Sequence, residues 1–442
     1  GLQQASAALQ VDVTTQTFSI DDFKQLWPDF FAPGARRWAR EGISEGVIRN
    51  AWVKADIPYG IFGNERNGKQ FAPEHIIAHV PIEQATVKTV GQLPYIVSAK
   101  GLVRYSGMET DIQLESGQAI LASGRKIGVS AGTMDIADYR INPLPAKLKM
   151  KMDGSASALI ELGALDPLDY SETLGLKPKG VDGTVNVDFS ADINLVKSLK
   201  TEDVDWKAKV LIRKASTDQP ILGRQLSKAD LNVLAEPGIA EIEGSALVDG
   251  VPAKLALTER FGASSKKSKR SVSFVLDDED RRKIGLDTGG ILSGPIDVRV
   301  TGRSGRNDTI SADLTRAKLD LPWFGWSKGK GIKAKADFVF ETKGGERRIR
   351  NLVLKGGGFS AKGNIVIGKS GIRSVDLSRV VLNKNDNFAI KVTRSKSGFD
   401  ISMNARSYDA RALIRSFTKS SSPTDTGGKR IRLKAKARRL IG

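Results

Sequence analysis

Apolar and polar residues alternate along most of this chain, in short segments separated by Gly, Asn, Asp and Pro. The alternation is clearest in residues 185–192 and 333–341. A period of two places every second side chain on the same face of a β-strand. The apolar positions of these two segments are Val185, Val187, Phe189, Ala334, Ala336, Phe338 and Phe340. We therefore predict a mostly β protein with antiparallel strands that each have one apolar face.

Helical segments are few and short. The pattern predicts helices at Ala156–Leu165 and at Asp277–Ile284, where acidic residues come first and basic residues last. A parallel α/β fold needs a helix after nearly every strand, so the sequence excludes that class. Short sequence echoes at irregular intervals indicate repeated units of several strands rather than a solenoid with a short fixed period.

One stretch near the start, 26–46, concentrates aromatic residues in a chain where they make up only 6%. It predicts a helix near residues 26–41, with Pro33 in a first-turn position and Gly42 at its end. This aromatic helix is a candidate plug for the sheet that follows. The side chains proposed for the plug are Trp27, Phe30, Phe31 and Trp38.

Composition divides the chain into three segments. Residues 1–262 and 263–417 are predicted to be two β-groove segments, separated near the polar run Ser264–Arg270. Residues 418–442 are predicted to be a linker followed by the first strand of a further, truncated unit, because basic and apolar residues alternate after position 429.

The chain is basic, with 69 Lys and Arg against 50 Asp and Glu and a formal net charge of +19. This charge favours anionic partners such as phospholipid headgroups, lipopolysaccharide or nucleic acid, although solubility alone also explains it. The sequence has no cysteine, which excludes disulfides and thiolate chemistry. It has no apolar run of about 18 residues and no signal peptide, and its start at Gly1 suggests a fragment.

Candidate catalytic residues are scarce. His75 and His79 are the only histidines, and the residues between them lack the glutamate of a metalloprotease helix. Gly356–Gly358 is not followed by the Lys-Ser/Thr of a phosphate-binding loop. We therefore expect no enzymatic activity, no cofactor and no metal site.

The apolar strand faces need a cover, because the predicted helices are too few to bury them. A second sheet packed as a sandwich would bury these faces, and it is the commoner arrangement. A single sheet curled into a trough could instead hold an apolar ligand on its concave side. Periodicity cannot distinguish ligand-lining residues from ordinary core residues, so both arrangements stay open on the sequence pattern alone.

Two sets of residues carry a family resemblance. The first comprises Leu26-Trp27-Pro28, the pair Arg37-Trp38, and Gly46-Val47-Ile48. The second lies far downstream, in Asp313–Leu319, Leu321–Trp326 and Lys328–Gly331. In this order they resemble the AsmA-like superfamily, specifically its large YhdP- and TamB-related envelope proteins. The resemblance covers almost the whole chain, and its motifs describe no catalytic centre.

The resemblance implies an elongated, curved antiparallel β-groove that holds phospholipid acyl chains as a passive conduit between membranes. It also implies a periplasmic body, an inner-membrane anchor and contacts with the inner and outer membranes outside this segment, and a role in outer-membrane lipid homeostasis. The apolar positions listed above would line the groove. The alternative is a β-rich envelope scaffold, or a binding module for an anionic polymer such as lipopolysaccharide. The alternation of basic residues with Asp and Glu argues against nucleic acid as a partner.

Overall fold

The computed structural model divides into two compact units, Gly1–Ile242 and Glu243–Gly442. The division falls inside strand β14 (Ile239–Val248). The boundary between residues 262 and 263 that the sequence favours stays a prediction. The structure describes residues 8–27, 33–60, 75–138, 141–168, 177–196, 204–221, 223–261, 268–286, 288–303, 308–321, 324–343, 346–368, 371–395, 398–411, 414 and 430–441. The predicted linker, residues 418–429, lies outside these residues.

Strands make up 67% of the structure and helices 9%, which confirms the prediction of a mostly β protein with few helices. Unit 1 has helices α1 (Ile20–Leu26), α2 (Pro33–Gly42) and α3 (Ala156–Gly163). Its strands are β1 (Leu9–Thr14), β2 (Thr17–Ser19), β3 (Ile43–Ser44), β4 (Val47–Arg49), β5 (Trp52–Ile57), β6 (Ile76–Val87), β7 (Ile96–Ser106), β8 (Glu109–Ile120), β9 (Lys126–Ile136), β10 (Pro145–Ser155), β11 (Val181–Asn194), β12 (Asp205–Thr217) and β13 (Leu226–Glu236).

Strand pairing in unit 1 follows the chain. From β5 to β13 each strand is antiparallel to the next, and β1 pairs with β5. The short strands β3 and β4 pair with β6, and β2 pairs with β4. Sequential antiparallel pairing suits this sequence, because each alternating segment is followed directly by turn-forming residues.

Unit 2 has one helix in its described residues, α4 (Asp278–Lys283). Its strands are β15 (Val251–Arg260), β16 (Lys269–Leu276), β17 (Leu292–Ser293), β18 (Ile296–Arg303), β19 (Asp308–Asp313), β20 (Lys318–Leu321), β21 (Trp326–Lys328), β22 (Ala334–Lys343), β23 (Glu346–Gly356), β24 (Ser360–Gly368), β25 (Gly371–Val381), β26 (Asn387–Arg394), β27 (Gly398–Asp409) and β28 (Arg430–Ile441).

The main sheet of unit 2 runs in the order β15, β16, β18, β19, β22 and then β23 to β28. A separate three-stranded sheet joins β17, β20 and β21. A strand after residue 429 is observed as β28, and it pairs with β27 in parallel. Its assignment to a further unit stays a prediction. The parallel pairing corrects the expectation of a purely antiparallel sheet. Parallel neighbours need a crossover connection, and the chain between Asp409 and Arg430 is long enough to provide one.

The single helix predicted near 26–41 is instead two helices, α1 and α2. Trp27 ends α1 with an extended backbone (ψ 115°), because the following Pro28 disfavours the helical conformation at the residue before it. Helix α2 begins at Pro33 and ends at Gly42, as the sequence predicts. Helices α3 and α4 confirm the other two predictions, with Ser155 and Asp277 as their N-caps.

Several strands carry a β-bulge, in which one extra residue interrupts the pairing. The bulged residues with a left-handed backbone conformation are Gln84, Ser98, Ala131, Lys214 and Asn351. Side chains on the neighbouring strand accept the freed backbone N–H at two of them: Asp230 Oδ1 lies 2.9 Å from Lys214 N, and Asn364 Oδ1 lies 3.0 Å from Asn351 N. These contacts keep the extra residue in place without breaking the sheet.

Helices long and apolar enough to cross a membrane are absent from the part of the chain that the structure describes.

Candidate functional site

The apolar face of unit 2 is ordered into three rows that run across the strands. Residues paired across neighbouring strands share a face, so the strand register defines each row. The covered row comprises Ala312, Ala336, Leu354, Ala361, Val380, Phe388 and Ala405. The middle row comprises Ile310, Phe338, Leu352, Gly363, Leu377, Ile390 and Met403. The open row comprises Phe340, Ile349, Ile365, Val375, Val392 and Ile401.

Burial falls from the covered row to the open row. All members of the covered row except Leu354 are buried, whereas every member of the open row is only half-buried. The middle row is mixed: Ile390 and Met403 are buried and Phe338 is not. An apolar surface about five strand spacings wide, roughly 24 Å, is therefore left partly accessible at one end of the strands.

Two aromatic residues pack over the end of the apolar face that contains the covered row: Phe324, between β20 and β21, and Trp326, the first residue of β21. The Phe324 ring lies 5.7 Å from Phe388 and 6.5 Å from Tyr408, and Trp326 lies 5.0 Å from Phe359 in an edge-to-face contact. Leu321 packs on the same core cluster. These contacts cover one end of the apolar face, and Val392 and Ile401 of the open row pack against the same cluster while staying half-buried.

Arginines are concentrated in the first halves of β23 and β25, on both faces of the sheet around the open row. They are Arg347, Arg348, Arg350 and Arg373, and the acidic residues among them are Glu341 and Glu346. Arg350 lies 2.8 Å from Glu341, and both Arg348 and Arg373 pair with Glu346. Positive side chains therefore exceed negative ones at this end, and Arg350 and Arg373 are mostly exposed.

The predicted lining residues of unit 2 all lie on this apolar face. Ala334 and Ala336 are buried at its covered end, while Phe338 and Phe340 belong to the middle and open rows. Phe338 packs against the core cluster of unit 2, and Phe340 lies outside that cluster. Of the four predicted lining residues of unit 2, Phe340 is therefore the one that does not pack in this core cluster.

The predicted lining residues of unit 1 follow a similar gradient. Val185 and Val187 are buried and cluster with Leu159 and Ile160 of α3. Phe189, further along the strand, is half-buried and stacks on Trp206 at 6.4 Å. Helix α3 therefore covers one end of this face, and Phe189 lies beyond the buried valines.

The predicted aromatic plug is only partly described by the structure. Trp27 is half-buried and contacts Phe23 edge to face at 5.4 Å, whereas Trp38 is 40% exposed. Phe30 and Phe31 lie outside the described residues. The α1 side chains that pack on the neighbouring apolar cluster are Ile20 and Phe23, which the sequence analysis did not single out.

The two histidines lie at the start of β6. His79 stacks on Trp52 with the rings 5.6 Å apart and nearly parallel. Within the described ranges, no three His, Cys, Asp or Glu side chains are grouped in a way that could hold a metal ion.

The polar face of unit 1 carries cross-strand charges. Lys147 opposes Asp192 and Lys151 opposes Asp188, with Lys151 Nζ 3.9 Å from an Asp188 oxygen. Asp111 and Asp135 oppose each other on β8 and β9. Desolvation, followed by the hydrogen bond and the repulsion from Asp111, raises the pKa of Asp135.

Replacing Asp135 with Asn is expected to stabilise the protein at neutral pH. A carboxyl group whose pKa is higher in the folded state stabilises below its unfolded pKa of about 3.9 and loses this contribution as pH rises through the folded value. Asn keeps the neutral hydrogen-bonding form. Urea unfolding at pH 4 and at pH 7 measures the change. From pH 4 to pH 7, the free energy of unfolding should fall less for Asp135→Asn than for the wild type. The exposed strand residue Asp56, replaced in the same way, is the control, and an equal pH response of both variants would contradict the prediction.

Comparisons with known proteins were made by sequence and by structure. No family model, curated protein or solved structure matches this chain. The resemblance to AsmA-like envelope proteins therefore stays a prediction from the sequence motifs.

The second set of motif residues forms one connected local structure. Asp313 Oδ1 accepts the N–H of Thr315 at 2.7 Å and starts the turn that ends at Ala317. Lys328 is 1% exposed, and its ammonium donates to the carbonyls of Leu314 and Ala317 at 2.7 and 2.6 Å. Burial lowers the pKa of Lys328, and Asp313 opposes this shift. Within Leu321–Trp326, Leu321, Phe324 and Trp326 cover the apolar face, and Pro322 and Trp323 lie outside the described residues.

Most of the open row was missed by the sequence analysis. Ile349, Ile365, Val375, Val392 and Ile401 lie on separate strands, and their alternation is visible in each segment. A bulge at Asn351 interrupts the alternation in β23, and another register shift occurs in β25. The period-two signal could have found these residues if the bulges had been recognised.

Proposed function

We propose that this chain is a passive conduit segment that shields phospholipid acyl chains on the apolar faces of its β-sheet. The supporting observation is the gradient in unit 2, where aromatic residues cover one end of the strands and the open row remains half-buried. A face built only to form a core would be expected to bury its apolar side chains along the whole strand.

The dimensions and energetics suit an acyl chain. The open row extends over about 24 Å, more than the roughly 15 Å that the acyl chains of one leaflet occupy in a bilayer. Each methylene removed from water contributes about 0.8 kcal/mol, so shielding about ten methylenes contributes about 8 kcal/mol. A continuous apolar row would thereby lower the barrier for a lipid that crosses an aqueous space.

The charges beside the open row suit a phospholipid headgroup. Arg347 lies near the start of β23, two residues before Ile349 and on the same face of the strand, where it would attract a phosphate that remains in solvent. Exposed ion pairs are weak, typically below about 1 kcal/mol, so such contacts would guide a headgroup without holding it tightly. This arrangement fits transfer better than storage.

The cellular setting of the proposal comes from the AsmA-like motifs. It comprises a periplasmic body, an inner-membrane anchor outside this segment, and a role in outer-membrane lipid homeostasis. No catalytic step is part of the proposal.

Native mass spectrometry with lipid extraction tests the proposal directly. The protein, purified without detergent from bacteria, is expected to carry phospholipid in several copies per chain. A folded monomer without lipid would contradict the conduit and favour the alternative of an envelope scaffold or a binding module for an anionic polymer.

Lysine at both Phe338 and Phe340 is expected to reduce lipid transfer between vesicles by about tenfold or more, because each charge must be desolvated beside the acyl chain. Circular dichroism and cooperative unfolding should stay close to the wild type. Val339→Lys is the matched control, because Val339 lies on the opposite face of the same strand.

Phe338 also contacts the core, so the double variant could unfold. A second variant, Phe340→Lys with Ile365→Lys, changes only residues of the open row. It therefore separates the loss of lipid transfer from the loss of folding. If this variant is folded and transfers lipid as fast as the wild type, the open row does not bind acyl chains.

A further inference from the structure

All of the excess positive charge of this chain belongs to one of its two units. In unit 1, Asp and Glu slightly outnumber Lys and Arg, so unit 2 supplies the whole formal net charge of +19. Both units consist mainly of antiparallel strands, and the sheet itself therefore does not require this difference. An excess of one sign in a single unit favours a partner of the opposite sign.

Two pairs of like charges lie on the outer face of β22 to β25, which is the face opposite the three apolar rows. Lys335 of β22 lies directly opposite Lys355 of β23. Lys362 of β24 lies directly opposite Arg379 of β25. Val353, two residues from Lys355 on the same face, lies opposite Lys362, so the two pairs are neighbours. We call these four cations, all of them exposed, the basic patch. It is about three strand spacings wide, roughly 14 Å.

Carboxylates neutralise the basic patch only in part. Asp337 lies on the same face and pairs with Lys335 at 3.0 Å. Asp376, the one acidic residue of β25, pairs instead with Lys391 of β26 at 3.3 Å. Among the residues that the structure describes, no ion pair involves the other three cations of the patch. The patch therefore keeps an excess of positive charge.

Unit 1 places its cations differently. On its outer face Lys147 lies opposite Asp192, and Lys151 lies opposite Asp188. Among the described residues of β5 to β13, no Lys or Arg is paired directly with another Lys or Arg. Like charges at directly opposite positions destabilise an antiparallel pair, so the basic patch lowers the stability of unit 2. A bound anion would offset this repulsion.

The side chains of the outer face favour an anionic lipid surface over a nucleic acid. The aromatic residues of β22 to β25 are Phe338 and Phe340, and both lie on the apolar face. Stacking of bases needs exposed aromatic side chains, and the outer face of these four strands has none. A layer of phosphate headgroups requires only positive charges spread over an open surface.

We propose that the basic patch binds unit 2 to a membrane surface that contains anionic phospholipids. Lys355, Lys362 and Arg379 contact the headgroup phosphates of several lipids, and these phosphates relieve the repulsion between the opposed cations. The contact uses the face opposite the apolar rows. It therefore goes beyond the shielding of acyl chains and does not depend on it.

Vesicle flotation with the whole chain tests this contact. Vesicles of phosphatidylcholine alone are compared with vesicles of equal parts phosphatidylcholine and phosphatidylglycerol. Binding is expected only to the second kind, and it should weaken as the salt concentration rises, because salt screens the attraction. Equal binding to both kinds of vesicle would overturn the proposal.

The matched variants remove the same number of positive charges at two places. Lys355→Gln, Lys362→Gln and Arg379→Gln together should weaken binding to the anionic vesicles by about tenfold or more, since each cation near such a surface contributes to binding. The control combines Lys54→Gln, Lys149→Gln and Lys209→Gln, which replace exposed lysines on strands of unit 1. It should keep the affinity within about twofold of the wild type, because charges far from the membrane are screened.

Urea unfolding checks that the patch variant is folded. This variant is expected to be at least as stable as the wild type, because it removes the repulsion between opposed cations. An equal loss of vesicle binding in both triple variants would show a general charge effect and refute the patch. Soluble polyphosphate provides the remaining comparison. If it binds through the three cations while the anionic vesicles do not bind, the patch holds a soluble polyanion and membrane binding is refuted.

Discussion

Replacing Lys328 with Met is expected to lower the free energy of unfolding of unit 2 by about 3 kcal/mol. The ammonium group donates to the carbonyls of Leu314 and Ala317, and it also lies 3.1 Å from the carbonyl of Gly329. Leu314 and Ala317 are themselves buried, at 6% and 0% exposure. Methionine has a similar length but no donor, so the buried carbonyl of Ala317 would lose the ammonium hydrogen bond, and the carbonyl of Leu314 would keep only the backbone N–H of Ala317.

Urea unfolding followed by circular dichroism measures this loss. Lys330→Met is the matched control, because Lys330 lies two residues away in the same segment and is exposed. The control is expected to change stability by less than about 0.5 kcal/mol. A loss below about 1 kcal/mol in Lys328→Met would mean that water replaces the ammonium group and that the turn does not depend on it.

Gly363→Ala is expected to destabilise unit 2 by roughly 2–3 kcal/mol, the usual range for overpacking in a tightly packed region. A Cβ atom at this position would lie 2.1 Å from the carbonyl oxygen of Asp376 and 2.6 Å from the Cα of Leu377. Both are backbone atoms of the neighbouring strand, so the clash cannot be relieved by a side-chain rotation. Strands β24 and β25 would have to move apart at the centre of the middle row.

The control for this substitution is Gly329→Ala in the same unit. No atom lies within 4 Å of a Cβ built there, so its effect on stability should stay within about 0.5 kcal/mol. Thermal unfolding of both variants gives the comparison. If Gly363→Ala is as stable as the control, the close approach of β24 and β25 is not required by the fold.

Local features of the fold were accessible from the sequence. The segment Asp277–Ile284 was predicted as a helix from its charge order, and α4 has Asp277 as its N-cap, with Asp280 completing a capping box. The strand of Ala334, Ala336, Phe338 and Phe340 is also observed as β22, and its register places these four side chains on one face. Such features depend on residues close together in the chain, so short-range patterns are sufficient to predict them.

Features that depend on distant residues could not be predicted. The sequence marks Leu321–Trp326 as aromatic, but its contact with Phe388 and Tyr408 follows from the register of strands that come much later. Lys328 looks like an ordinary surface lysine until the turn at Leu314–Ala317 closes around it. The open row could not be predicted for the same reason. Whether an apolar residue of a strand is buried depends on which distant residues pack on that face, and the alternation of the strand does not show this.

The bulges at Gln84, Ser98, Ala131, Lys214 and Asn351 also bear on how this sequence can change in evolution. A regular strand that gains or loses one residue turns every later side chain to the opposite face. A bulge absorbs one residue locally, so Leu352 lies on the same apolar face as Ile349 although Asn351 interrupts the alternation between them. Single-residue insertions and deletions should therefore accumulate at these positions in relatives, while the flanking strand segments keep a constant length. Aligning relatives on these five positions would then recover repeat units that a fixed spacing obscures.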